Sequence, residues 1–291
     1  MIAPPPALST LLPYTPPYDW QACLTFFRHH SMPGLETVDE SGYERVVETA
    51  KGLGWFRVDH RTEGNCLRLS LWNGTEAELL AITVRARKMF DLDADPAALD
   101  RHMNANGALS EIWQRYPGLR LTRAWNGFEA VFATVLGQLV SVKFGRILTK
   151  ELMTAAGRLA AHPRTGITVN LFPSATEILS SDLLEVRTSA KRRSTLHALA
   201  SAINHGDLSL EATQDSIGLK RSLRNIAGVG AWTAEYAALR GFDDDDAFPA
   251  TDYVLKRELK NHAALNLEAV RPLRGYAAIA LWRHHAQREQ P

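Results

Sequence analysis

The sequence predicts an α+β protein, in which strands and helices are mixed over the first third of the chain and helices follow. Strand signals are concentrated before Pro96, where Leu67, Leu69 and Leu71 alternate with polar neighbours. After Pro96, apolar residues recur at intervals of three and four, as in residues 128–140. This spacing is typical of helices with one buried face.

The first predicted module covers residues 13–95. Asp19 is placed to begin a helix, and residues 55–60 have the composition of a strand. Thr75 and Glu78 have the spacing of a capping box, which satisfies the free amides at a helix start. The sequence therefore predicts a small α+β domain with a helix near its end.

Composition limits the class of protein. The chain has 291 residues, of which 45% are hydrophobic, enough for two domains with a buried core. The net charge is only +1, from 33 basic and 32 acidic side chains, so overall charge does not indicate a nucleic-acid binder. Any attraction to a polyanion must come from local geometry.

Other classes are excluded by what the chain lacks. Two cysteines cannot supply four thiolates to a zinc site or an iron–sulfur cluster, and they fit a cytoplasmic location. No apolar stretch approaches the roughly 20 residues that cross a bilayer, so no membrane contact is expected. The proline-rich residues 1–12 lack the features of a signal peptide and are predicted to form a flexible tail.

Two glycines in three residues mark a candidate binding site. A helical run is interrupted by Gly228-Val229-Gly230, and a new helix follows. The glycines permit unusual backbone angles and leave amides uncovered at a helix start, where an anion such as phosphate binds, and Thr233 could add its hydroxyl. The alternative is that the hairpin only joins two packed helices.

Asp252 lies 22 residues after Gly230, within the segment Phe-Pro-Ala-Thr-Asp. Proline and aspartate are typical of the entry to a helix, so the residue alone predicts an N-cap. The pair of motifs together is more specific. Ile-x-Gly-Val-Gly-x-Trp-Thr-Ala followed at this distance by Phe-Pro-x-x-Asp resembles the helix-hairpin-helix DNA glycosylases, in detail the bacterial DNA-3-methyladenine glycosylase II family. The resemblance covers nearly the whole chain, and its further matches are residues 17–20, 136–141, 236–241 and 274–277.

This resemblance implies a domain arrangement. The first domain would be TATA-binding-protein-like, and two helical subdomains would follow with a cleft between them. Residues 96–126 and 245–291 would form one subdomain, and residues 127–244 would form the other, which holds the helix-hairpin-helix.

It also implies a reaction. Members of the family flip a base out of double-stranded DNA and hydrolyse its bond to the sugar in base excision repair. The substrates would be alkylated bases of the 3-methyladenine and 7-methylguanine type, and a single copy would act. Asp252 would stabilise the positively charged sugar and orient water. Trp232 stands where strand-cleaving relatives have a lysine, so strand cleavage is not expected.

The resemblance assigns further residues. The base pocket would be lined by aromatic rings, which suit a cationic base. Leu139 would be the wedge that fills the gap left by the flipped nucleotide. Gly228, Gly230 and Thr233 would hold a DNA phosphate. The expected pocket residues are Trp232, Tyr236, Tyr253 and Trp282.

The carbonyls of Arg224, Ile226 and Val229 would hold a structural monovalent cation. No cofactor or catalytic metal is expected. The histidine pairs at 29–30 and 284–285 are adjacent in sequence, and neighbours on a helix point about 100° apart, unlike a chelating pair.

Two alternatives stay open at this point. One is a related glycosylase for oxidised or deaminated bases. The other is a non-catalytic protein that recognises lesions, although recognition alone does not require Asp252. The acidic residues 243–246 are predicted to form a solvated loop.

Overall fold

The computed structural model describes residues 8–61, 63–210 and 215–289. An antiparallel sheet with two helices is followed by a mainly helical region, so the α+β class is confirmed. The strands are β1 Leu8–Pro13, β2 Glu36–Val38, β3 Gly42–Thr49, β4 Gly52–Arg61, β5 Cys66–Trp72, β6 Leu159–Ala161 and β7 Thr168–Asn170. The helices are α1 Trp20–His30, α2 Glu76–Met89, α3 Pro96–Asn104, α4 Gly107–Trp113, α5 Gly127–Leu136, α6 Val142–Ala156, α7 Ala175–Ser180, α8 Ala190–Asn204, α9 Ser216–Arg224, α10 Ala231–Gly241, α11 Tyr253–Asn261 and α12 Arg274–Arg288.

The first five strands form one sheet in the order β1-β5-β4-β3-β2, with every neighbouring pair antiparallel. Leu24 of α1 and Met89 of α2 are buried with Phe56 and Leu69 of the sheet in one apolar cluster. The predicted caps of both helices are confirmed, because Asp19 caps α1 and Thr75 forms a capping box at α2. Local polar side chains thus define where these helices begin.

The predicted flexible tail is wrong over residues 8–12. These residues form β1, which pairs with β5 in a register that runs from Leu8 opposite Leu71 to Pro13 opposite Cys66. Leu12 is buried in the sheet core. The hydrogen bonds to β5 and the burial of this side chain hold the segment in place. The rest of the predicted tail, residues 1–7, lies outside the described residues.

A second difference is the hairpin of β6 and β7 in the region predicted to be helical. Each strand has only three residues, which is too short to show alternation. Val169 packs with Met32, Leu35 and Val46 of the first domain. The hairpin is therefore stabilised by contact with another domain. Such a contact cannot be predicted from the periodicity of the sequence.

Two further apolar clusters occupy the helical region. One is built mainly from α3, α4 and α12, and the other mainly from α5, α6, α8 and α10. We propose on this basis the division into residues 96–126 with 245–291 and residues 127–244. Across the described ranges, no helix has both the length and the apolar character needed to cross a membrane.

The acidic run at residues 243–246 lies in a loop between α10 and α11, as predicted, but its carboxylates are also paired. Each carboxylate pairs with a basic side chain from another segment of the chain, so opposite charges offset the repulsion within the run. The pairs are Asp243 with Lys88, Asp244 with Lys220, Asp245 with Arg123, and Asp246 with Arg271 and Arg274. The run ties α2 and the start of α12 to the segment before Asp252.

Candidate active site

The carboxylate of Asp252 accepts hydrogen bonds from residues of three helices, α10, α11 and α12. Its Oδ1 accepts hydrogen bonds from the backbone amides of Val254 at 3.0 Å and Leu255 at 3.1 Å, which caps α11. The indole of Trp232 donates to Oδ2 at 3.0 Å, and the indole of Trp282 donates to Oδ1 at 3.0 Å. Four N–H donors therefore hold the group in one orientation.

These bonds are distributed unequally over the two oxygens. Oδ1 accepts three of them and Oδ2 accepts one, so Oδ2 keeps acceptor capacity for a further partner. A fixed carboxylate of this kind can stabilise a developing positive charge without reorganisation, or it can orient a water molecule. Helix capping and this chemistry use the same side chain and do not exclude each other.

Aromatic rings adjoin the carboxylate. Trp232 stacks on Tyr236 with ring centroids 5.1 Å apart and planes inclined by 14°. Tyr236 meets Trp282 edge to face, at 5.8 Å and 66°. Trp232 and Tyr236 are four residues apart on α10 and so lie on the same face of the helix. All three rings are partly exposed, as the wall of an open pocket would be.

Tyr253 is not brought into this group. It is the first residue of α11, and its side chain is 76% exposed. Among the described residues, its ring stacks with none of the three pocket rings. Neighbouring residues of a helix point about 100° apart, so Asp252 and Tyr253 face different directions.

Two residues missed by the sequence analysis, Arg240 and Phe26, lie beside these rings. The guanidinium of Arg240 lies 4.3 Å from the ring centre of Phe26, 5.8 Å from that of Tyr236 and 5.5 Å from that of Trp282. It donates to the Thr122 carbonyl at 2.7 Å, and burial lowers its pKa. Arg240 is one helical turn after Tyr236, and this spacing could have indicated that both residues lie on the same face of α10. Phe26 belongs to the first domain, and nothing in the sequence around it indicates that it lies near these rings.

The hairpin between α9 and α10 has the features of an anion site. Gly228 has a φ of +91°, and a Cβ there would lie 2.0 Å from the hydroxyl oxygen of Thr195, so only glycine fits. A Cβ on Gly230 would meet no described atom within 4 Å. No side chain of the described chain caps α10, which leaves the amides of its first turn available to a ligand.

The hydroxyl of Thr233 does not contribute to that site as predicted. The side chain is 2% exposed, and its oxygen accepts a hydrogen bond from Gln138 at 2.7 Å. The third residue of α10 faces the protein interior, so only its backbone amide is presented with the others. Thr233 instead anchors the turn that contains Gln138.

Leu139 lies in that turn, at residues 137–141 between α5 and α6. Its side chain is fully exposed and its φ is +55°. Gln138 also donates to the carbonyl of Gly228 at 3.1 Å, and Arg192 donates to the carbonyl of Gln138 at 2.6 Å. The turn and the hairpin are therefore joined, and Leu139 is presented beside the anion site.

Part of the carbonyl set predicted to hold a cation is already engaged. Arg224 is the last residue of α9, and the Ile226 carbonyl accepts the amide of Val229 at 3.0 Å. A carbonyl oxygen has two lone pairs, so this bond leaves one for a cation. Three neutral oxygen donors suit a weakly held monovalent ion, and the site stays a prediction.

The chain is similar to known proteins in sequence and in fold. Residues 9–126 match the family model of the AlkA N-terminal domain. The chain is 29% identical over 279 residues to DNA-3-methyladenine glycosylase 2 of Escherichia coli, with 93% of this chain and 95% of the relative covered. It is 30% identical over 283 residues to the "Probable bifunctional transcriptional activator/DNA repair enzyme AlkA" of Mycobacterium tuberculosis.

The coverage of these relatives differs. The match to the Mycobacterium tuberculosis protein includes 94% of this chain but 56% of the relative, so the chain spans about half of that protein's length. Among solved structures, the 3-methyladenine DNA-glycosylase from Archaeoglobus fulgidus has the same fold. Its TM-score is 0.74 at 18% identity, over 95% of this chain and 98% of that one. The chain is therefore similar, over nearly its whole length, to AlkA-type DNA glycosylases.

Proposed function

We propose that the chain is a monofunctional DNA glycosylase that flips alkylated bases out of duplex DNA and removes them by hydrolysis. The main support is the Asp252 carboxylate, held by the indoles of Trp232 and Trp282 beside stacked rings. A binding protein could use the aromatic rings alone. The oriented carboxylate is what hydrolysis additionally needs.

The reaction requires little acid catalysis. A base such as 3-methyladenine or 7-methylguanine is positively charged while it is attached to the sugar. When the glycosidic bond breaks, its electron pair neutralises the base, and positive charge develops on the sugar. The Asp252 carboxylate stabilises that charge. A water oxygen then bonds to the sugar carbon, and its proton passes to the carboxylate or to solvent.

Arg240 changes how the aromatic rings are expected to recognise an alkylated base. Its buried positive charge lies 5.8 Å from the centre of Tyr236 and 5.5 Å from that of Trp282. This charge weakens the attraction that the rings offer to a cationic base. We therefore expect stacking and the ease of bond breakage to favour alkylated bases more than cation–π attraction does.

We further propose that the strand is left intact at the abasic site. Cleavage would need an amine nucleophile at the sugar. By the family resemblance, Trp232 stands where strand-cleaving members have that lysine, and the amine of Lys220 is paired with Asp244 at 2.9 Å. Among described residues, the side chains that donate to Asp252 are the two indoles.

The proposed partner is duplex DNA, bound by one copy of the protein. The uncapped start of α10 and the exposed Leu139 would contact the phosphate backbone and the gap in the stack. Such local contacts explain how a chain of net charge +1 could hold DNA. A cytoplasmic location is proposed as well, since Cys23 and Cys66 are free thiols.

The test is base release from methylated duplex DNA by the wild type and by Asp252→Asn. We expect the wild type to release 3-methyladenine and 7-methylguanine and to leave strands intact until alkali is added. The variant should be slower by at least about 10³-fold, because it lacks the charge that stabilises the transition state. DNA binding should persist, since asparagine has nearly the same shape and also caps helices.

Asp95→Asn is the matched control. Asp95 caps α3 with bonds to the amides of Ala97 and Ala98 and lies outside the proposed site. It should retain full base release. A wild type that binds DNA but releases no alkylated, oxidised or deaminated base would replace the enzyme proposal with lesion recognition.

A further inference from the structure

A second group of chemically reactive side chains lies where α11 packs on α12. Glu258 lies in the last turn of α11, His262 is the C-cap residue that follows this helix, and His284 faces them from α12. One ligand atom from each residue lies within 4.8 Å of the other two. Glu258 and His284 are buried, and His262 is partly buried. The group is separate from the pocket rings and from the hairpin.

Two buried atoms in this group make no hydrogen bond, although charged groups lie near them. Glu258 Oε2 and His262 Nε2 are both buried and neither makes a hydrogen bond, although they lie 3.5 Å apart. Burying such atoms without a hydrogen bond destabilises the folded protein. Two ligands about 2.0–2.1 Å from a tetrahedral zinc ion are about 3.3 Å apart. The 3.5 Å between Glu258 Oε2 and His262 Nε2 is close to this value, whereas the wider span of the group, up to 4.8 Å, requires the side chains to move inward when an ion binds.

The surroundings of Glu258 support the same interpretation. Nδ1 of His285 lies 2.8 Å from Oε1 and so orients the carboxylate with Oε2 towards His262. Second-sphere contacts of this kind are usual around metal ligands. Arg288 lies 3.5 Å from Oε2, and its side chain is 54% exposed. It can therefore move into solvent when a cation takes its place.

We propose that Glu258, His262 and His284 bind one divalent transition metal of the zinc class, with water as a fourth ligand. Two imidazoles and a carboxylate form a recurrent zinc ligand set. Imidazole ligands also favour zinc, cobalt and nickel over magnesium or calcium. The amide of His262 donates to the carbonyl of Glu258 at 2.9 Å, as in a helical turn, so the side chains of these two residues can reach the same ion.

The role of the ion would be to link two helices. Glu258 is six residues after Asp252 on α11, about 9 Å along the helix axis, so the metal does not touch the reacting atoms. Both helices contribute to the pocket, since Asp252 caps α11 and Trp282 belongs to α12. Binding would therefore stabilise the helix pair that supports the candidate active site.

The test uses the full chain without a histidine tag, titrated with Co²⁺. We expect one Co²⁺ per chain, with the visible absorption of tetrahedral cobalt, displaced by Zn²⁺ and unaffected by Mg²⁺. Cys23 and Cys66 are buried and should not compete for the ion. Zn²⁺ should also raise the Tm of the protein, because an ion that binds only the folded state stabilises it.

Variants separate this site from adventitious binding. His262→Gln and His284→Gln should each lose the stoichiometric absorption and the Zn²⁺-dependent rise in Tm. His285→Gln should weaken binding about 10–100-fold, since it removes only the orienting contact. His205→Gln, at the exposed end of α8, is the control and should bind as the wild type does.

Circular dichroism of each metal-free variant verifies that it is folded. Two variants of the ligands keep the test decisive if one of them fails to fold. The proposal is overturned if the folded wild type takes up no stoichiometric Co²⁺, or if folded His262→Gln and His284→Gln bind it as tightly as the wild type. In the first case His262 and Glu258 form only an ion pair.

Discussion

Leu139 has two properties that a leucine with a stabilising role does not have. Its side chain is fully exposed, and its φ of +55° is a region that branched side chains rarely adopt. Such a conformation costs about 1–3 kcal/mol and persists only where neighbouring contacts enforce it. Gln138 provides these contacts through the hairpin, so the residue is held out from the surface at a cost to stability.

Leu139→Ala should therefore separate activity from stability. The Tm should change little, because no buried contact is lost. Base release from duplex DNA should fall about 10-fold or more, since a leucine that fills the gap in the stack contributes about 1.5–3 kcal/mol of burial. Release from single-stranded methylated DNA should fall less, because no partner strand has to be separated.

Leu80→Ala is a matched control, because Leu80 is an exposed leucine on α2, 66% accessible. It should leave both quantities unchanged. Equal activity of Leu139→Ala and the wild type on duplex DNA would show that Leu139 is not a wedge.

At the scale of elements, the hairpin and the start of α10 contain two glycines with different functions. Gly228 is needed by the fold, because its φ is +91° and Thr195 leaves no room for a Cβ. Gly230 has an ordinary φ of −90° and open space in front of it. The fold permits a larger residue at position 230, so a ligand that approaches the amides would account for glycine there.

We predict that alanine at position 228 mainly lowers stability, whereas alanine at position 230 mainly weakens DNA binding. Gly228→Ala should lower the free energy of unfolding by about 2 kcal/mol or more, through strain and a forced shift of Thr195. Gly230→Ala should cost less than about 1 kcal/mol. Its Kd for duplex DNA should nevertheless rise about 10-fold, because a methyl group obstructs the phosphate.

Urea unfolding and DNA titration on the same preparations measure both effects. An unchanged Kd for Gly230→Ala would place the phosphate contact elsewhere on the protein.

Helix starts can be predicted from local sequence, whereas the short strands β6 and β7 cannot. Thr75 with Glu78 forms the capping box that its spacing predicts, and Ser174 with Glu177 forms a second one at the start of α7. A cap satisfies amides within one turn, so residues three apart contain the whole interaction. The short strands β6 and β7 have no such local cause, and the prediction of helices alone after Pro96 is wrong there.

For the whole molecule, Asp91 joins the first domain to the helical region. It follows α2, and its Oδ2 accepts hydrogen bonds from the amide of Leu121 at 2.9 Å and the hydroxyl of Tyr276 at 2.8 Å. Arg123 is 3.8 Å away and Asp245 is nearby. Burial raises the pKa of this carboxyl to about 6, and Arg123 opposes the shift only in part.

The raised pKa gives stability a pH dependence of known sign. Between the unfolded pKa of 3.8 and the folded pKa of about 6, the folded state holds a proton that the unfolded state has released. The free energy of unfolding should therefore fall as pH rises across this window, by at most about 1.4 kcal/mol per pH unit from this group. Asp91→Asn should remove that contribution.

The measurement is urea unfolding from pH 4 to pH 7 of wild type, Asp91→Asn and Asp207→Asn. Asp207 is exposed on a turn and serves as the control. The difference between wild type and Asp91→Asn should follow the predicted slope, whereas Asp207→Asn should follow the wild type. Parallel curves for all three proteins would mean that Asp91 is ionised throughout this range.

The sequence by itself determined the features that depend on neighbours along the chain. These include the α+β class, the interruption at Gly228 and Gly230, and the cap at Asp252. Each follows from backbone angles or hydrogen bonds within a few residues. The convergence of Asp252 with Trp232 and Trp282 was implied only by resemblance to a family, because nothing local connects positions 20 and 30 residues apart.

The tertiary structure decided how side chains from distant segments face one another. It turned Tyr253 towards solvent and Thr233 inwards to Gln138, and it placed Arg240 beside the pocket. It also brought His284 close to Glu258. The sequence did not indicate this contact, because it showed only that His284 is next to His285. The direction of a side chain depends on how its helix packs against others, and that packing is the joint result of three apolar clusters rather than of any short segment.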